Sequence, residues 1–203
     1  MTSAGVVLLR VVARRNPRII GRMSDASVEP APDPIAEPQA YRDYLLAALG
    51  DDDPASVQAG TPAAMREIVL GAGSHLRTRP APGTWSALEV LGHMLDAEIV
   101  SSARYRFIVA HDEPTLIGYD QDLWVQGLNH NDDDPSALLD QFEAMRLANV
   151  SMWRRASPNE RSRVGIHEER GPESYDLTFR LLAGHDRIHL AQARESLQSS
   201  VTR

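Results

Sequence analysis

The 203-residue chain contains no cysteine and no lysine, so all 21 of its basic residues are arginine. Without cysteine it can form no disulfide, thiolate ligand or cysteine-held iron–sulfur cluster, and it has no cysteine nucleophile. Without lysine, Schiff-base and lysine-nucleophile mechanisms are excluded. Any metal must therefore be held by nitrogen and oxygen. Positive charge is scarce as well: the net charge is −7 and the pI near 5.5, which argues against a nucleic-acid partner, because that needs a basic face. No apolar run is long enough for a bilayer. The patch at Val6 to Leu9 with Val11 and Val12 is interrupted by Arg10 and lacks a small-residue cleavage site, so it is not read as a signal peptide or a span. A small-molecule partner and a cytoplasmic protein are the expectation, and arginine in place of lysine is read as the coding habit of a GC-rich bacterial genome.

Composition also divides the chain. Residues 1–22 carry Arg10, Arg14, Arg15, Arg18 and Arg22 with no acid, and residues 24–38 are rich in Pro, Ala, Asp and Ser, a mixture that buries too little apolar surface to offset ordering entropy. The expectation is a flexible or mis-started extension over 1–38, with Met23 as the functional start, followed by one domain over 39–203.

Within that domain the fold class reads as all-α. A short helix is predicted over 39–49, ahead of the Asp51-Asp52-Asp53-Pro54 break. Thr61-Pro62 reads as N-cap and first position of a helix to about His75. Ser86 with Glu89 forms a capping box that starts a second helix from Ala87 to about His111. Asp134-Pro135 starts a third, to about Arg155, and a fourth follows Gly171-Pro172. Only Arg163 to Ile166 reads as extended. On the second helix Val90, Ala97, Val100, Arg104 and Phe107 share one side with His93, while Leu88, Leu91, Leu95 and Ile99 form an opposing stripe; a helix buried on two sides belongs inside a bundle. The connection from Asp112 to Asp134 exceeds the usual 2 to 8 residues or so between helices, and its Tyr119 and Trp124 read either as a lid over one end of the bundle or as staples for the loop.

The chemistry resides in histidine. His185 and His189 are four residues apart, which on a helix is about 40° around the axis, so both rings leave one face a turn apart. Thr178, Leu181, Leu182, Ile188 and Gln192 share that face, which therefore points to the core. Two stacked core imidazoles leave several ring nitrogens in need of partners, and each buried unpaired polar group costs roughly 1 to 3 kcal/mol. With His93 as a third ligand, the set suits a metal with an open coordination position, since closed structural sites use four ligands. Asp96 and Glu89 flank His93 and could orient a ligand histidine. Arg104 could hold a carboxylate of substrate or cofactor in a bidentate contact, or serve as an interhelical salt bridge. Asp186 and Arg187 point away from the histidine face and read as surface or interface residues. A di-iron bundle is unsupported without Glu-x-x-His pairs, and His167-Glu168-Glu169-Arg170 is not the zincin motif.

Three segments, Gly83-Thr-Trp-Ser-Ala-Leu-Glu-Val-Leu-Gly-His93-Met-Leu-Asp-Ala-Glu98, Tyr119-Asp-Gln-Asp-Leu-Trp124 and Leu182-Ala-Gly-His-Asp-Arg-Ile-His-Leu-Ala-Gln192, together resemble the DinB-like superfamily of four-helix-bundle metalloproteins, over roughly residues 60–198. The resemblance implies a four-helix bundle with a long loop between its second and third helices. It also implies one divalent ion, zinc, nickel or iron, on His93, His185 and His189, and a homodimer. It places His167, which with Gly171 resembles a His and Gly preceding the family's last helix, near the site. Arg104, Asp96, Trp124 and His167 are thus the expected substrate or supporting residues. The activities it implies are a thiol-dependent S-transferase or isomerase using a low-molecular-weight thiol such as mycothiol, a metal-dependent hydrolase, or a non-catalytic metal- or ligand-binding bundle, of which the first is preferred.

Overall fold

Ser86 and Glu89 open the central helix as their spacing predicts: the Ser86 hydroxyl accepts from the Glu89 amide at 3.1 Å and the Glu89 carboxylate accepts from the Ser86 amide at 2.9 Å. In the computed structural model, which describes residues 31–34 and 36–201, this helix, α3 (Ala87–Ala110), packs with α2 (Pro54–Gly71), α5 (Pro135–Arg155) and α7 (Tyr175–Val201) as a four-helix bundle. A further helix, α1 (Pro38–Leu49), lies along α7, and a single turn, α6 (Pro158–Ser162), follows α5. The expected extension over 1–38 lies mostly outside the described residues. No described helix is long and apolar enough to cross a membrane.

Every side chain from Ala87 to Glu98 is buried, as expected for a helix covered on two sides. One core forms where Leu88, Leu91 and Met94 meet Met65, Leu139 and Phe142; a second gathers Tyr105, Ile108, Trp153, Tyr175 and Phe179 at the other end. Each such fully buried side chain contributes about 1.5–3 kcal/mol relative to an exposed one. The stripes expected on α3 stop short, since Ile99 and Phe107 are 43% and 51% exposed: beyond the first three turns α3 has partners on one side only.

Three boundaries differ from the expectation. Helix α2 begins eight residues earlier, because Asp53 caps it by accepting from the Ser56 amide at 2.9 Å and Pro54 takes the first position. Pro62 is then interior, at the loss of one backbone bond, and the Thr61 hydroxyl, instead of capping, donates to Val57 O and to the buried Asp186 carboxylate. Gly171 and Pro172 do not start the last helix. They belong to strand β3 (Gly171–Ser174), antiparallel to β2 (Val164–His167), which pairs in parallel with β1 (Thr115–Leu116); Pro172 is tolerated because β3 is an edge strand. The long connection is not a bare loop. It holds β1 and the short helix α4 (Gln121–Leu128), capped by Asp120 and anchored by buried Val125.

Helices α1 and α7 meet at a glycine. A Cβ at position 184 would lie 1.9 Å from the Leu45 carbonyl oxygen, so only glycine lets the two backbones approach. Gly184→Ala is expected to lower stability in urea unfolding by about 1–3 kcal/mol, the usual cost of overpacking. A gain near 1 kcal/mol, the helix-propensity advantage of alanine, would contradict this contact.

Candidate metal centre

Helix α3 contributes His93 and helix α7 contributes His185 and His189, and the three present ring nitrogens that all lie within 4.8 Å of one another. The trio expected from the sequence is therefore assembled. His93 Nε2 and His185 Nε2 face each other at 3.0 Å, and the ring centroids are 4.1 to 5.0 Å apart. His93 is 1% exposed and His185 9%, while His189 is half-buried and opens the site to one side.

Burial holds all three rings neutral. It drives His93 and His185 well below the ordinary histidine value, with the neighbouring His189 pushing the same way, and brings His189 down to about 4. Neutral rings keep a lone pair each. Gln192, one turn beyond His189, receives the His189 Nδ1 proton at 2.7 Å, which fixes the tautomer and turns the Nε2 lone pair towards the other rings. Trp85 closes the opposite wall, its ring 5.0 Å from that of His93 and 6.3 Å from that of His189.

This donor set fits a divalent cation. Two facing Nε2 atoms can share at most one proton, and the Nδ1 atoms of His93 and His185 are buried with no hydrogen-bond partner among the described residues. The protein alone leaves the pair poorly satisfied, whereas a cation takes up the converging lone pairs.

The remaining expected residues sort differently. Asp96 does not orient a ligand histidine. Its carboxylate meets His130 Nε2 at 2.8 Å, and His130 Nδ1 meets Asp133 at 2.8 Å; Gly92 makes room for that ring, since a Cβ there would lie 2.2 Å from it. Glu89 is taken by Arg79 and the helix cap. Trp124 packs on Tyr119, centroids 4.6 Å apart, the staple reading. Arg104 makes no salt bridge among the described residues; its Nη2 donates to the Ile117 carbonyl at 2.6 Å. His167 is buried, but its Nδ1 accepts from the Glu169 and Arg170 amides at 3.2 and 3.4 Å. The proton of the neutral ring therefore sits on Nε2, which leaves no lone pair there for a metal.

Asp186 corrects the sequence reading most. Far from being a surface residue, it is 1% exposed and sits against the fully buried Arg146, whose Nη2 donates to it at 3.0 Å. Arg146 Nε also lies 2.9 Å from Glu98, and Asn149 donates to Glu98 at 2.6 Å. Two carboxylates thus share one guanidinium behind the histidines, and burial pushes the Glu98 carboxyl up. Arg187 reaches α1, donating to the Ala48 and Leu49 carbonyls at 3.0 Å, a contact within the chain. The i+1 position of a histidine whose face is known gave no sign that Asp186 had a partner two helices away.

The histidines predict acid lability. Folded His189 and His167 titrate at about 4, below the unfolded value near 6.5, so between those values the unfolded chain binds more protons. Their contribution to stability is complete above about pH 6.5 and is lost as pH falls towards 4. Metal-free protein should show a falling thermal midpoint across that window, and a flat profile would contradict the burial of neutral rings.

Residues 58–193 match the DinB superfamily. A protein of Oceanobacillus iheyensis, whose name proposes a metal-dependent hydrolase, is 26% identical over 117 residues, 57% of this chain and 67% of that one. Among solved structures, YfiT from Bacillus subtilis, which its description proposes as a metal-dependent hydrolase with an unusual four-helix bundle topology, superposes with a TM-score of 0.65 at 18% identity, covering 89% of this chain and 93% of that one.

Proposed function

Given that the chain belongs to the DinB superfamily, we propose that it is a metal-dependent hydrolase of small molecules whose single divalent cation is held by His93, His185 and His189. The observation that carries this reading is the set of three neutral imidazoles whose nitrogens converge within 4.8 Å, alongside relatives whose names propose the same chemistry. Three neutral ligands leave the full charge of the cation in place, and such a centre supplies Lewis acidity and a nucleophile that ionises near neutral pH.

The chain's own residues do the rest. The Gln192 amide oxygen holds the His189 ring in register, Trp85 keeps water from one flank, and burial of His93 and His185 keeps their lone pairs from being protonated at working pH. No cysteine or lysine competes as nucleophile. The ion is zinc, nickel or iron, because imidazoles accept each and availability decides. A homodimer in the cytoplasm is part of the same proposal.

The thiol-dependent S-transferase or isomerase expected from the resemblance would use the same centre with a small thiol such as mycothiol as the nucleophile. The test is therefore a panel of esters and amides assayed in water beside electrophiles assayed with added thiol, on protein of measured metal content. Hydrolysis without thiol, abolished by chelation, is the expected result. Turnover only with thiol would move the assignment to a transferase, and metal retention with neither activity to a non-catalytic binding bundle.

A further inference from the structure

We propose that Arg104, Arg42 and His167 form an oxyanion subsite beyond the histidine trio, which takes the carboxylate or phosphate group of the substrate. The inference rests on the reading of the trio as the reaction centre and adds the substrate's chemical class.

The subsite is built from donors that the fold buries without acceptors. Arg104 Nε, Arg42 Nε and His167 Nε2 are each shielded from solvent and have no hydrogen-bond partner among the described residues. The His167 atom is a donor because Nδ1 already accepts from two backbone amides. Leaving three such donors unsatisfied is costly in any folded protein, and an oxyanion, with several lone pairs, matches them.

Charge points the same way. Glu173, fully buried, pairs with Arg170, whose Nε donates to it at 2.6 Å, and lies 3.4 Å from Arg42 Nη2. One carboxylate therefore serves two guanidiniums, while among the described residues Arg104 hydrogen-bonds only to the Ile117 carbonyl. Glu168 and Glu169 are exposed, on the turn beside Gly118. Burial, with the neighbouring positive charge acting the same way, also holds His167 down to about 4 and lowers the Arg104 guanidinium.

Position ties the subsite to the reaction centre. Arg104 is on the same side of α3 as His93, about three turns and about 16 Å along the axis. Between them lie Ala97 and Ser101, both with small side chains and both buried. The substrate this fits is an elongated small molecule with its anionic group at the end remote from the bond that reacts.

Calorimetric titration of the purified protein at low salt, with inorganic phosphate in one arm and glutarate in the other, tests the subsite without reference to turnover. Saturable binding of one or both is expected, and the stronger arm identifies the group as phosphate or carboxylate. Arg104→Gln should weaken that binding about tenfold or more, as loss of a charge-assisted hydrogen bond does, with metal content unchanged. His167→Leu is the second variant and should act in the same direction. Absence of saturable binding to the wild type, or binding untouched by Arg104→Gln and lost on chelation, which would place the anion on the cation itself, overturns the proposal. Anion binding by protein that takes up no metal would instead overturn the metal reading and leave the subsite standing.

Discussion

Replacement of Arg146 by leucine is expected to destabilise the protein by about 3–5 kcal/mol, the largest single-residue effect outside the histidines. Arg146 is wholly buried, in contact with both Asp186 and Glu98, and its removal leaves two carboxylates in the core with no counter-charge. Breaking a buried pair from one side costs this much because desolvation remains while the attraction is gone. The carboxylates would respond by binding protons, so the variant should regain stability at acid pH, where wild type loses it. Replacing Arg146, Asp186 and Glu98 together with apolar residues of similar volume should recover most of the loss. Denaturant unfolding checks both, and a deficit below about 1 kcal/mol for Arg146→Leu would mean that the network is solvated.

Loss of a ligand histidine has the second large effect, and it is read on metal binding. Removing a supporting partner of a metal ligand typically costs about 10–100-fold in affinity. His185→Ala removes the ligand itself and should cost more, leaving the variant effectively empty at metal concentrations that saturate the wild type. Because a cation bound only by folded protein stabilises it by about 2.7 kcal/mol at 100 times its dissociation constant, chelation should lower the thermal midpoint of the wild type and leave that of His185→Ala unmoved. Equal responses of the two proteins to chelation would place the ion elsewhere. Gln192→Leu should fall between them, since it frees the His189 ring without deleting it.

The parts of this site legible in the sequence are those set by local geometry. The four-residue spacing of His185 and His189 puts two rings on one helical face regardless of what packs there, and the Ser86 and Glu89 capping box fixes the start of α3, hence the depth of His93. Competing local signals were less decisive. Asp53-Pro54 reads as a break after the acidic run and Thr61-Pro62 as the helix start, yet the structure starts α2 at the first pair, because a start at the second would leave Ala55 and Gln58, both buried in the folded chain, outside the bundle. Gly171-Pro172 resembles a helix lead-in, yet β2 was available to pair with it. What the sequence could not display was partnership at a distance. The contacts of Asp186 with Arg146, of Asp96 with His130 and of Arg42 with Glu173 depend on helix rotation and loop path, which charge pattern alone does not encode. Helix α4 escaped notice because its eight residues lie within a segment whose only strong local signal is the Asp120 cap.

Elemental analysis of the purified protein, prepared without chelator and compared with His93→Ala, His185→Ala and His189→Ala, bears most directly on the central claim. About one equivalent of a single divalent metal in the wild type, lost in each variant while far-ultraviolet circular dichroism stays helical, is the predicted result. A metal-free wild type that takes up none when supplied with zinc, nickel or iron, or a full equivalent retained by all three variants, would contradict it.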